Sequence, residues 1–153
     1  MIVADTDFLS SLIKIGRLHL LQELLKSDVR IPMGVEKEIR KCPDIHSAIS
    51  AAKWLKIIKV PASKKKIVRS FQDQNPGRGE SECLAMGDVI LMSDTKAGRY
   101  AFEVGKTVID IPTLLLMCRK ANLIDQAEPD QIIEDLEKKD YYKLPMEWIK
   151  KLR

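Results

Sequence analysis

The chain has 153 residues, 45% of them hydrophobic, which suits one compact domain with a sizeable core and leaves little room for a second. Twenty-six Lys and Arg stand against 22 Asp and Glu, and this net charge of +4 permits nucleic-acid binding without demanding it. Cys42, Cys83 and Cys118 form no CxxC, no secretory leader precedes the first apolar run, and no run reaches the roughly 18 residues of a membrane span, so a reduced, cytoplasmic protein with no membrane segment is expected. His19 and His46 stand alone without zinc-ligand spacing, which sets a zinc site aside.

In chain order, the apolar run Ile2-Val3-Ala4 ends abruptly in Asp5 and Asp7, and Leu9, Leu12, Ile13 and Ile15 then follow a helical period. That is strand, turn, helix. Open α/β sheets bind ligands outside the carboxyl ends of their strands, so Asp5 is a site candidate, while Thr6 or Asp7 suits the cap of the following helix. Further strand-like runs end at Ile31, Val60, Ser93 and Asp110. The spacing predicts helices over Phe8–Lys14, Arg17–Leu25, Met33–Lys41, Asp44–Leu55, Lys64–Asp73 and Glu80–Met86. It predicts four more over Lys96–Val104, Pro112–Lys120, Pro129–Lys139 and Pro145–Lys151. Pro32, Pro112, Pro129 and Pro145 stand where helices begin, and Gly16, Gly87 and Gly105 where they end. Strands alternating with helices predict an α/β fold with a mostly parallel sheet. The stretch from Gln74 to Gly79 is too short for a linker and introduces the next helix.

Acids recur at the element boundaries. Asp5 ends the first strand, Glu38 lies in the helix that Pro32 opens, Glu80 and Glu82 begin the helix after Gly79, and Asp94 follows Ser93. Glu38 comes three residues after the apolar Val35, and Glu82 is flanked by Leu84 and Ala85, so both border a buried face. Two carboxylates about 5 Å apart at an effective dielectric near 20 repel by roughly 3 kcal/mol, so converging acids need a divalent cation or raised pKa values. Oxygen-only ligands favour magnesium or manganese, which bind phosphate esters and activate water; phosphodiester hydrolysis follows as the natural reaction. Spacing alone does not prove that they converge.

Several stretches together resemble the PIN-domain family, in particular its small single-domain members that include VapC-type toxins. They are Ile2-Val-Ala-Asp-Thr-Asp-Phe-Leu9 with Ile15-Gly-Arg-Leu-His-Leu-Leu21, Ile31-Pro-Met-Gly-Val-Glu-Lys-Glu-Ile39, Gly79-Glu-Ser-Glu-Cys-Leu-Ala85 and Ile90-Leu-Met-Ser-Asp-Thr-Lys-Ala-Gly-Arg99. Val108-Ile-Asp-Ile-Pro-Thr-Leu-Leu-Leu116, Ala121-Asn-Leu-Ile124 and the segment from Ile132 to Arg153 extend the likeness over nearly the whole chain. The resemblance implies a three-layer α/β/α fold over residues 1–153, with a helical tail from about residue 125, and a metal-dependent ribonuclease using Mg2+ or Mn2+. It assigns Asp5 as central ligand, Glu38 and Glu82 as completing the shell directly or through water, and Asp94 as holding a second ion or orienting water, with the hydroxyls of Thr6 and Ser93 in support. It also implies an RNA substrate, an antitoxin partner if the chain is a toxin, and a homodimer. The interval from Glu82 to Asp94 is short for the family, Thr95 can take the place of Asp94 if the alignment slides by one residue, and Glu80 can replace Glu82 or cap its helix. Asp110 either borders the pocket or caps the helix at Pro112.

Lys64-Lys-Lys66, Arg69 and Arg78 suit either an RNA backbone or, more commonly, a solvated face. Tyr141, Tyr142 and Trp148 suit packing of a terminal helix better than base stacking, His19 a half-buried helix position, and Met86, Met92 and Met117 the core. Two rival functions stand beside the nuclease. Asp5-Thr6-Asp7 also fits the opening of the haloacid-dehalogenase-type phosphatase pattern, but Leu9 stands where that pattern has Thr or Val, and a later Asp-Asp pair is missing. The other rival is an inactive PIN-like module that binds RNA or protein.

Overall fold

Five short apolar runs pair as β1 (Ile2–Ala4), β2 (Val29–Pro32), β3 (Leu55–Ile58), β4 (Val89–Leu91) and β5 (Thr107–Ile109), all parallel in the order β3-β2-β1-β4-β5. The computed structural model describes residues 1–153 apart from Asn75, Pro76 and Asp94. Asp94 and part of the stretch from Gln74 to Gly79 thus lie outside the described residues. The register sets Val3 beside Ile90 on one side and Arg30 on the other, and pairs Ala4 with Leu91. Val3, Ala4, Val29, Ile31, Ile90 and Leu91 are fully buried, as expected of central parallel strands covered on both faces.

Ten α-helices among the described residues flank the sheet in a three-layer α/β/α arrangement. They are α1 (Thr6–Lys14), α2 (His19–Leu25), α3 (Met33–Ile39), α4 (Pro43–Ala51) and α5 (Lys65–Gln72), followed by α6 (Arg78–Met86), α7 (Thr95–Glu103), α8 (Ile111–Lys120), α9 (Pro129–Asp140) and α10 (Met146–Leu152). Each expected helix is present, with shifted ends. The fourth stops at Ala51 instead of Leu55 because Leu55 is claimed by β3, where it pairs with Val29. The sixth starts two residues early, at Arg78, so that Glu80 falls in its first turn. Pro43 and Pro129 open their helices, Pro112 lies in the first turn of α8, and Pro32 and Pro145 are N-caps. Gly16 and Gly105 have φ of 68° and 84°, a left-handed conformation that suits glycine after a helix end.

The closing helices are tied back to the body. α9 packs on α1, where Ser11 Oγ donates to Asp140 (2.5 Å) and Lys14 pairs with the same carboxylate (3.1 Å). α10 packs on α8, whose Arg119 donates to Leu152 O (3.3 Å). Tyr142 and Trp148 are half-buried against the core, but Tyr141 takes the left-handed C-cap of α9 (φ 54°) and is 91% exposed rather than packed. His19 and Met117 are exposed, Met86 is half-buried, and only Met92 of the three methionines is fully in the core. No helix among the described residues is long and apolar enough to cross a membrane.

Candidate active site

The strand order fixes where a site belongs. The chain runs outward from β1 to β2 and β3, then returns to place β4 on the opposite side of β1, so the carboxyl ends of β1 and β4 flank a topological switch point. Asp5 stands there: its N–H donates to Leu91 O across that pair (3.0 Å). Its backbone is extended (φ −94°, ψ 172°), and its Oδ1 accepts the N–H of Phe8 at 3.1 Å, so Asp5 itself is the N-cap of α1. The cap expected of Thr6 or Asp7 belongs to neither. Thr6 instead donates its hydroxyl to Glu38 Oε2 (2.7 Å), tying the start of α1 to α3, while Asp7 is exposed in the first turn of α1.

Only 4% of the Asp5 surface is exposed, and burial pushes its carboxyl from 3.8 up to about 7. The Phe8 N–H opposes this rise, and the charges of Asp7, Glu80 and Glu38 add to it. The charges acting on this buried carboxyl are thus those of three other carboxylates.

Glu82, expected beside Asp5, is turned away. Its Oε2 accepts the N–H of Gly34 in the first turn of α3 (2.5 Å), and its Oε1 accepts Arg78 Nε at 3.3 Å. Residues two apart on a helix are rotated by about 200°, so Glu80 and Glu82 leave α6 on different sides. Glu80, one of the charges acting on Asp5, also reaches back to the N–H of Gly77 at 3.2 Å, so the capping role considered for it is present as well. In the sequence, the position of Glu80 beside Gly79 suits a cap, and the apolar neighbours of Glu82 favour Glu82.

Two glycines let α3 and α6 approach closely. A Cβ on Gly79 would lie 3.1 Å from both Glu38 Oε1 and Val35 Cγ2, and one on Gly34 would lie 2.6 Å from Glu82 Oε2. Glu38 itself is exposed, at the end of α3 that faces Thr6. Behind Asp5, the buried Cys83 thiol donates to Ala4 O (3.6 Å), and burial pushes its pKa well up, so it offers no thiolate nucleophile.

Asp5 thus feels the charges of Asp7, Glu80 and Glu38, while Glu82 is engaged by the Gly34 N–H and Arg78. Asp94 follows β4 and lies outside the described residues; Thr95, its alternative, is exposed at the start of α7. Ser93 Oγ is buried with no hydrogen-bond partner among the described residues. Asp110 caps α8 by accepting the N–H of Thr113 at 2.9 Å. Among the described residues no three carboxylate, imidazole or thiol groups close in tightly enough to hold an ion by themselves. The crevice offers hard oxygen donors and a surplus of negative charge, which suits a divalent cation better than an anionic ligand.

No curated protein and no solved structure matches the chain. A family model described as PIN domain matches residues 1–152. PIN domains have a nuclease-type fold and typically use divalent metals, and the match leaves the phosphatase reading without support. With an all-parallel sheet whose switch point carries Asp5, and a match along nearly its whole length, the chain belongs to the PIN-domain family.

Proposed function

We propose that this protein is a ribonuclease dependent on Mg2+ or Mn2+, with Asp5 at the centre of its site, Glu38 and Glu80 beside it and Asp94 completing the set. The observation that carries the reading is the buried Asp5 carboxyl at the switch point, raised to about 7 and facing the charges of Asp7, Glu80 and Glu38. These donors fit a hard cation, and an ion held by Asp5, Glu38, Glu80 and Asp94 would supply Lewis-acid polarisation of a phosphodiester and a more acidic water. Asp5 is held in place by two backbone bonds, its own N–H to Leu91 O and its carboxylate to the Phe8 N–H, so the anchor is rigid before substrate arrives. Thr6 orients Glu38 through its hydroxyl, and Glu80 projects from the first turn of α6. Glu82 takes a positioning role, pinning α3 to α6 through Gly34.

The test is cleavage of a fluorescent single-stranded RNA by purified protein with Mn2+ or Mg2+, with EDTA, Asp5→Asn and a matching DNA strand as controls. Cleavage that requires the ion and Asp5 supports the reading, and unchanged cleavage by Asp5→Asn would falsify it. A second reading, a PIN-like module that binds RNA or protein without cutting, is favoured by one observation: no three described groups close on an ion. Absence of cleavage together with absence of Mn2+ binding by calorimetry selects it. The toxin role and its antitoxin are tested by growth arrest on expression, reversed by Asp5→Asn.

A further inference from the structure

On the far side of α6 from Glu80, Lys37, Lys59, Lys65, Arg69 and Arg78 line an open groove of about 500 Å3 in which Glu82 is the one carboxylate among the described residues. They come from α3, the residue just after β3, α5 and α6. Lys37, Lys59, Lys65 and Arg69 have no ion-pair partner among the described residues, and Glu82 is already engaged by the Gly34 N–H and Arg78. The excess of cations over carboxylates in this one groove matches the +4 of the entire chain, so the formal charges outside it sum to zero. Met33, Val60 and Val68 give the groove an apolar lining between its cations.

Cations spread over four elements along an open channel suit an extended polyanion better than a compact one, and apolar lining between them suits sugars and bases. The groove shares α3 and α6 with the acidic crevice, since Glu38 and Glu80 project from the same two helices. We propose that this groove binds the phosphodiester backbone of a single-stranded nucleic acid and leads it to the acids. The inference rests on the nuclease reading and names the path of its substrate.

The experiment is fluorescence anisotropy with a 2′-O-methyl oligoribonucleotide in EDTA, which withholds the ion that cleavage needs, across a salt series, comparing wild type, Lys65→Gln/Arg69→Gln, Lys37→Gln/Lys59→Gln, and a charge-matched control, Lys120→Gln/Lys150→Gln. Each phosphate contact on a single strand contributes about 0.7 to the slope of log K against log salt, so each groove pair is expected to flatten the slope by roughly 1.4 and weaken binding roughly ten- to thirtyfold near 0.1 M salt. The control pair should bind as wild type. Equal losses in the control, no change in the groove variants, or no binding by wild type would overturn the proposal. So would groove-dependent binding of poly-glutamate in place of RNA, which assigns the groove to an acidic protein partner. Groove-dependent binding with no ion-dependent cleavage of the unmodified strand leaves the groove standing and removes the nuclease reading; cleavage with unaffected groove variants does the reverse.

Discussion

Asp5→Asn separates the electrostatic load on the site from its fold. A carboxyl raised from 3.8 to about 7 prefers its protonated form in the folded chain, so its contribution to stability is fully present below pH 3.8 and is lost as pH rises through 7. At about 1.4 kcal/mol per pKa unit, the Asp5 carboxyl weakens folding by roughly 4 kcal/mol at pH 8, where it must be held ionised, and by roughly 1 kcal/mol near pH 4.5, where it is protonated in the folded chain but largely ionised in the unfolded one. The asparagine has no charge to hold, and its Oδ1 still accepts the N–H of Phe8, which keeps the cap of α1. In EDTA the variant is therefore expected to be more stable than wild type by about 1 kcal/mol at pH 4.5 and by about 4 kcal/mol at pH 8, while losing cleavage. Urea unfolding followed by the fluorescence of Trp54 and Trp148 measures both values, and added Mn2+ should raise the midpoint of wild type alone. A gain that is the same at both pH values, or a loss at pH 8, refutes the claim that Asp5 is a buried, unneutralised charge.

Three further outcomes follow from the geometry. Glu80→Gln should lower ion-dependent cleavage by about a hundredfold or more with little change in stability, while Glu82→Ala, by leaving the Gly34 N–H buried and unpaired, should cost about 1–3 kcal/mol in urea unfolding. If instead Glu82→Gln removes cleavage and Glu80→Gln does not, the assignment of the two is reversed. Gly79→Ala sets a methyl 3.1 Å from Glu38 Oε1 and Val35 Cγ2, which must give by a few tenths of an ångström, and should slow cleavage because the Glu38 carboxylate is displaced; wild-type cleavage refutes that close approach. A thiol reagent should titrate one cysteine, the exposed Cys42, in the native protein and all three in urea, since Cys83 and Cys118 are buried; rapid native labelling of Cys83 contradicts its place behind Asp5.

The alternation of strands and helices was legible in the sequence because hydrophobic period is a local property: Ile2-Val3-Ala4 and Val89-Ile90-Leu91 are continuous apolar runs, and the helices between them carry a period near 3.6. Asp5 was legible for the same reason, since a carboxylate directly after a parallel strand lies on the ligand-binding edge wherever that strand falls in the sheet. Where a segment changes partner, local pattern failed. Leu55 reads as the end of a helix until β2 supplies the ladder that makes it a strand, and Tyr141 reads as packing until the left-handed turn closing α9 leaves it in solvent. Which partners Glu80 and Glu82 meet turned on the rotation of α6 about its own axis. That phase is set by the contacts of Gly79 with Glu38 and Val35 and by the Gly34 N–H that captures Glu82. Such contacts join residues more than forty positions apart, so the acids at the element ends were determined by the sequence, and which of them face one another was decided by the packing of α3 against α6.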